Sequence, residues 1–204
     1  MPREERVIRA AYDDQAVMVY QAFTRGIVDA ALAKGTFDQG FRLDRMTWIK
    51  PSFGWMLYRS GYATKPNQEA ILRIQLSHEG FTTILSQSVE SDYRQGVYET
   101  HTAWKAALRQ SDVRHQWDPD RTLRGDRLPL RRAIQIGIQG CAVRQYVGEC
   151  IVGLEDVTAL AHAIHDAVRR KASILPDVPE ERIYSVAPEI MHRLRITGGG
   201  AIPQ

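Results

Sequence analysis

The chain has 204 residues, enough for one well-buried domain and short for two. A hydrophobic share of 44% beside a charged share of 25% is that of an ordinary soluble globular protein, and no apolar run approaches the roughly 18–20 residues of a membrane helix. A net charge of +3 is compatible with a nucleotide or nucleic-acid ligand but is weak support for one.

Met1–Arg9 is charged and lacks the apolar core of a signal peptide. After the Asp13-Asp14 turn, the apolar run Val17–Phe23 predicts a buried strand. Thr24 is a fair N-cap, Ile27, Ala30, Ala31 and Lys34 follow at helical spacing, and Gly35 ends the helix. Tyr20, Gln21 and Thr24 thus lie near the end of a strand, a common ligand position.

Arg45–Gly61 gathers aromatic, cationic and hydroxyl residues. Pro51 pushes Lys50 toward extended backbone, so Arg45–Lys50 reads as extended and a helix as starting near Pro51 or Ser52, with Pro at its first turn, and stopping at Gly61. Phe53, Met56 and Leu57 share one face of that helix, Trp55 and Arg59 another. Lys50 and Ser52 fall at the strand-to-helix junction, where free N–H groups and the positive helix end attract anions. Two readings stand: an anion or phosphate pocket walled by aromatics, or an aromatic-rich core segment whose cations reach solvent.

Further along, Glu69–Leu76 alternates as a strand does, His78–Ser86 predicts a short helix with Phe81, Ile84 and Leu85 inward, and Thr102–Gln110 another helix. Val113–Trp117 reads as a short strand ending in a turn at Asp118-Pro119. Arg121–Arg132 is a basic run, either a solvated loop or a patch facing phosphate. Ala133–Ile138 predicts a central strand, on which the Gln135 amide needs partners if buried. Gly140–Val147 is a short helix and Glu149–Leu154 a strand. Asp156 or Thr158 caps the helix Ala159–Arg170, and Val186–Leu194 forms the last. Cys141 and Cys150 read as buried small residues, fitting a reducing cytoplasm. The expected fold class is α+β: one domain over residues 1–196 and a flexible tail over 197–204. A mixed or antiparallel twisted sheet is flanked by helices.

Motifs for a P-loop, a dinucleotide fold or a nucleophile elbow are absent. His162 and His165 could share a helix face, but that helix reads as an exposed or packing helix and no His-Glu-x-x-His spacing occurs, so no metal is expected. Glu149 could serve as an acid or base in a pocket, or lie on the surface.

The segments Ile8–Asp14, Val19–Ala22, Arg45–Phe53, Tyr58–Gly61, Gln116–Pro119, Ile134–Gly137 and Ile151–Thr158 resemble the domain-of-unknown-function 4291 family. That resemblance spans the chain to about Leu175 and implies no activity. The element order is also similar to that of ADP-ribosyltransferases of the nucleic-acid-modifying type, with Pro51–Tyr58 as the extended segment entering a helix. Their Arg-rich strand with the catalytic Glu resembles Arg131–Ile136, where Gln135 replaces the Glu. An amide can do only weak dipolar work on a cationic transition state. The resemblance implies NAD as substrate and possible DNA or RNA acceptors. It gives Arg9, Tyr20 and Gln21 to the nucleotide, Trp48 or Tyr58 to ring stacking, and Lys50 and Arg59 to the pyrophosphate. Ser52 would orient the ribose, and Gln135 or Glu149 would face the scissile bond. The alternatives are a non-catalytic nucleotide- or RNA-binding module using the same pocket, and an interaction domain with the aromatics as core.

Overall fold

The computed structural model describes residues 4–94 and 97–198. In chain order the elements are β1 (Glu5–Arg6), β2 (Arg9–Ala10), β3 (Ala16–Phe23), α1 (Arg25–Lys34), β4 (Thr47–Ile49), α2 (Phe53–Ser60), β5 (Ala70–Ser77), α3 (His78–Ser86) and β6 (Val89–Glu90). There follow α4 (His101–Gln110), β7 (Val113–Arg121), β8 (Arg127–Ile138), α5 (Gly140–Gln145), a π-helical turn (Tyr146–Cys150), β9 (Ile151–Asp156), α6 (Thr158–Arg169), β10 (Arg182–Ile183) and α7 (Pro188–Leu194). The α+β class with a mixed sheet and flanking helices is therefore what the chain adopts.

Two larger sheets form. The smaller is antiparallel, in the order β3-β5-β9. In the larger, β8 is central: β7 pairs with it antiparallel on one side, β4 antiparallel and β1 parallel on the other, and β6 extends β7. The sheets meet where Tyr20 and Lys50 exchange both backbone hydrogen bonds, N–H of Tyr20 to O of Lys50 at 2.8 Å and N–H of Lys50 to O of Tyr20 at 3.2 Å.

Apolar alternation decides which faces are buried. Val17 and Val19 of β3, Leu72, Ile74 and Leu76 of β5, and Ile134, Ile136 and Ile138 of β8 form one core with α1, α3 and α7. Tyr20 and Ile71 point to the other side, where Phe53, Met56 and Leu57 of α2 meet Ala161 and Ile164 of α6. Truncating a side chain such as Leu57 here would cost about 2–5 kcal/mol. Gly54 lets α2 press on the end of β7, since a Cβ there would stand 2.4 Å from the carbonyl of Arg121.

Several boundaries differ from the sequence reading. β7 continues through Asp118 and Pro119 to Arg121 instead of turning. Arg127–Arg132 belongs to β8, and the basic run is a hairpin, not a loop. Within it Arg121 packs on Tyr58, Arg124 donates to the carbonyl of Ala172 at 2.6 Å, and Arg132 pairs with Glu4. Glu149 and Cys150 fall in the π-helical turn, so β9 starts at Ile151. Cys141 is exposed; Cys150 alone is buried. Of the expected tail, residues 199–204 lie outside the described residues, whereas Thr197 is tied to the backbone of Arg6 in both directions, at 2.9 and 2.8 Å.

Candidate functional site

At the junction of β4 and α2 the helix begins later than the sequence reading had it, at Phe53, with Pro51 outside it and Ser52 as its cap. Ser52 is extended (φ −80°, ψ 117°), and its Oγ accepts the N–H of Trp55 at 3.2 Å, a side-chain N-cap. The same hydroxyl donates to Asp120 Oδ1 at 3.0 Å. Asp120 is buried, also accepts the N–H of Arg121 at 2.8 Å, and has Arg131 Nε 3.1 Å from its other oxygen. Next to it the N–H of Phe53 donates to Glu181 Oε1 at 2.6 Å. The anion drawn to the positive end of α2 is thus the chain's own carboxylate, from a residue 128 positions away. Burial pushes the Glu181 carboxyl up to about 7; Asp120 adds to the rise, while the Phe53 N–H, Arg131 and Arg9 oppose it.

Lys50 turns elsewhere. Trp48 pairs with Gly137 and Gln116 with Gln135, so strand alternation sets Trp48, Lys50, Gln116, Asp118 and Gln135 on one face of the larger sheet. Ile49, His115, Trp117, Ile134 and Ile136 take the opposite, core face. On the polar face Lys50 Nζ donates to the carbonyl of Trp48 at 3.1 Å and stands 5.2 Å from the centre of the Trp55 ring. Burial pulls the ammonium down to about 7, Arg59 adds to that, and Asp118 opposes it. Asp118 accepts from Gln116 Nε2 at 3.1 and 3.3 Å and from Gln135 Nε2 at 2.6 Å. Its carboxyl is raised by burial, against the pull of both amides and of Lys50. Gly137 is the floor: a Cβ there would lie 2.7 Å from Met46 Sδ and 2.9 Å from Trp48 Cζ2, so only glycine lets the indole rest on the strand.

The structure therefore brings Trp48, Lys50 and Gln135 together and separates other residues the sequence grouped with them. Ser52 faces Asp120 and Lys50 faces the Trp48 carbonyl and the Trp55 ring, and both residues are buried, so the open anion pocket expected at this junction does not form as read. Tyr20 is buried under α2 with its ring stacked on Phe53 at 4.7 Å. Gln21 is a buried tie: it donates to Thr47 Oγ1 at 2.5 Å and to the carbonyl of Trp48 at 3.1 Å, and accepts from the Tyr146 hydroxyl at 2.7 Å. Arg9 pairs with Glu5 at 3.2 Å and belongs to the surroundings of Glu181. Tyr58 is exposed, but Arg121 lies 3.8 Å from its ring centre; Arg59 is exposed on the same helix. Glu149 lines a separate cavity of about 160 Å³ with Ser77, Glu79 and Cys150. Three residues were missed: Asp118, Asp120 and Glu181. The alternation of Val113, His115 and Trp117 against Arg114, Gln116 and Asp118 was the signal that could have carried the strand through Asp118.

Among the described residues no group of three or more His, Cys, Asp or Glu could hold a metal ion, and no helix is long and apolar enough to cross a membrane. A family described as a domain of unknown function (DUF4291) matches residues 7–184, most of the chain. The chain belongs to this family. Both halves of the polar face, β4 on one side and β7 with β8 on the other, lie inside the DUF4291 span, as do Asp120 and Glu181. No curated protein matches the chain.

Proposed function

We propose that this chain is an ADP-ribosyltransferase-like protein that binds NAD on the polar face around Trp48, Lys50 and Gln135 and passes ADP-ribose to an acceptor such as a nucleic-acid base. The observation that carries the reading is the 2.6 Å bond from the Gln135 amide to Asp118. The resemblance expects a carboxylate at position 135; one stands on the neighbouring strand, held by that very amide. A second support is adjacency. The opening strand, the extended segment entering a helix, and the Arg-rich strand lie side by side, β3 bridged to Lys50 and β4 laddered to β8.

In this reading the indole of Trp48 offers a ring face, and Lys50 with Arg59 takes the pyrophosphate. Phosphate beside Lys50 favours its ammonium form. The bond between ribose C1′ and the nicotinamide nitrogen breaks, and nicotinamide leaves with the electron pair. Asp118 stabilises the ribosyl cation. The acceptor nucleophile then bonds to C1′, and its proton passes to the Asp118 carboxylate.

The test is calorimetric titration with NAD, with nicotinamide release followed in the same sample. Lys50→Ala is expected to weaken binding about tenfold or more, the loss of one charge-assisted phosphate contact. Asp118→Asn is expected to keep binding and lower release about 100-fold or more. The amide at position 135 favours a second reading, a non-catalytic nucleotide- or RNA-binding module. Saturable NAD binding without nicotinamide release would select it, and no heat at millimolar NAD in a folded sample would remove both.

A further inference from the structure

A second region of the molecule gathers cations without enough acids to match them. Strand β6 presents the buried carboxylate of Glu90 to three guanidinium groups: Arg94 Nε at 2.7 Å, Arg6 Nη1 at 3.5 Å and Arg195 Nη1 at 3.7 Å. The last distance is too long for a hydrogen bond, and among the described residues both Arg195 Nη1 and Glu90 Oε2 are buried without a partner. The other nearby acid, Glu4, is paired with Arg132. Among the described residues two guanidinium groups are left over, and Arg6 itself is buried. Uncompensated charge in such a place is costly unless something anionic joins it.

The space for that partner is present. A cavity of about 580 Å³ opens between β1 and the end of α7, lined by Glu4, Arg6, Met191, His192, Arg195 and Thr197 among others. This is within the usual size of small-molecule sites, roughly 300–1,000 Å³. Its wall is fixed by the two bonds between Arg6 and Thr197. Arg195 holds the left-handed C-cap of α7 at φ 55°, a position where glycine would be unstrained, and lines this wall. Planar guanidinium groups bind phosphate oxygens in pairs, which matches the donors converging here.

We propose that this cavity binds the doubly charged phosphate or pyrophosphate group of a small phosphorylated molecule, through Arg6 and Arg195. It is separate from the face around Lys50 and stands whether or not NAD binds there. The experiment is thermal denaturation and calorimetry of the full chain with inorganic pyrophosphate as the probe, against sodium chloride at equal ionic strength. The expected result is saturable stabilisation below about 1 mM that chloride does not reproduce. Arg195→Gln should weaken it at least tenfold, and Lys34→Ala, which removes an exposed cation of α1, should leave it unchanged. Arg6→Met should abolish it; because Arg6 is buried and that variant can fail to fold, the partly exposed Arg195 carries the decision. Stabilisation matched by chloride, unchanged in Arg195→Gln, or lost in Lys34→Ala would overturn the proposal. Retained NAD affinity in Arg195→Gln would keep the two sites distinct.

Discussion

Lys50 and Ser52 are two residues apart, yet they live in different chemistry. Ser52 and the first N–H of α2 are saturated by Asp120 and Glu181. Lys50 is left with one carbonyl, a ring and the field of a neighbouring carboxylate. A strand-to-helix junction supplies anion-attracting groups from local sequence alone. Whether they stay open to a ligand is decided by residues distant in the chain, here 120 and 181.

The sharpest way to break this contrast is Asp120→Ala. It strips the acceptor from Ser52 and Arg121 and leaves Arg131 unmatched, so urea denaturation should show a loss of about 3–5 kcal/mol. A loss under about 1 kcal/mol would mean that the closed half of the junction is not held by its acids.

Proton linkage separates the halves next, with opposite signs. Lys50 falls from 10.5 unfolded to about 7 folded, so between those values the unfolded chain binds the extra proton. Its contribution makes stability rise with pH from about 7 to 10.5. Lys50→Met should flatten that limb; an unchanged profile in the variant would show that Lys50 is not desolvated.

Glu181 runs the other way. Its carboxyl rises from 4.5 unfolded to about 7 folded, so the folded chain holds the proton in between and stability falls as pH climbs through that window. The effect should be the smaller one, because the carboxyl is displaced less far from its ordinary value than the Lys50 ammonium is. Glu181→Gln, which keeps an oxygen for the Phe53 N–H, should remove the slope between pH 4.5 and 7. Together the two groups set a stability minimum near neutrality.

What the sequence made legible follows the range of the forces involved. The Gly35 and Gly61 helix ends and the inward residues of α3 depend on neighbours within a few positions, and they form as read. Asp118 was hidden because Pro119 looked like a turn. In the fold the ladder passes it, Pro119 pairing with Arg132 ahead of a register shift that Leu130 helps to absorb at φ 62°. Arg127–Arg132 looked like loop because its charges find partners such as Asp120 and Glu4 that no local pattern announces. Glu181 sits in a stretch with no periodicity, and its role exists only through α2.

The seam between the two sheets has a consequence of its own. Among the described residues their ladders are joined by the single exchange between Tyr20 and Lys50. The two amide hydrogens there are a gauge of breathing: deuterium uptake at Tyr20 and Lys50 reports how often the halves part, and a molecule that clasps both would slow it.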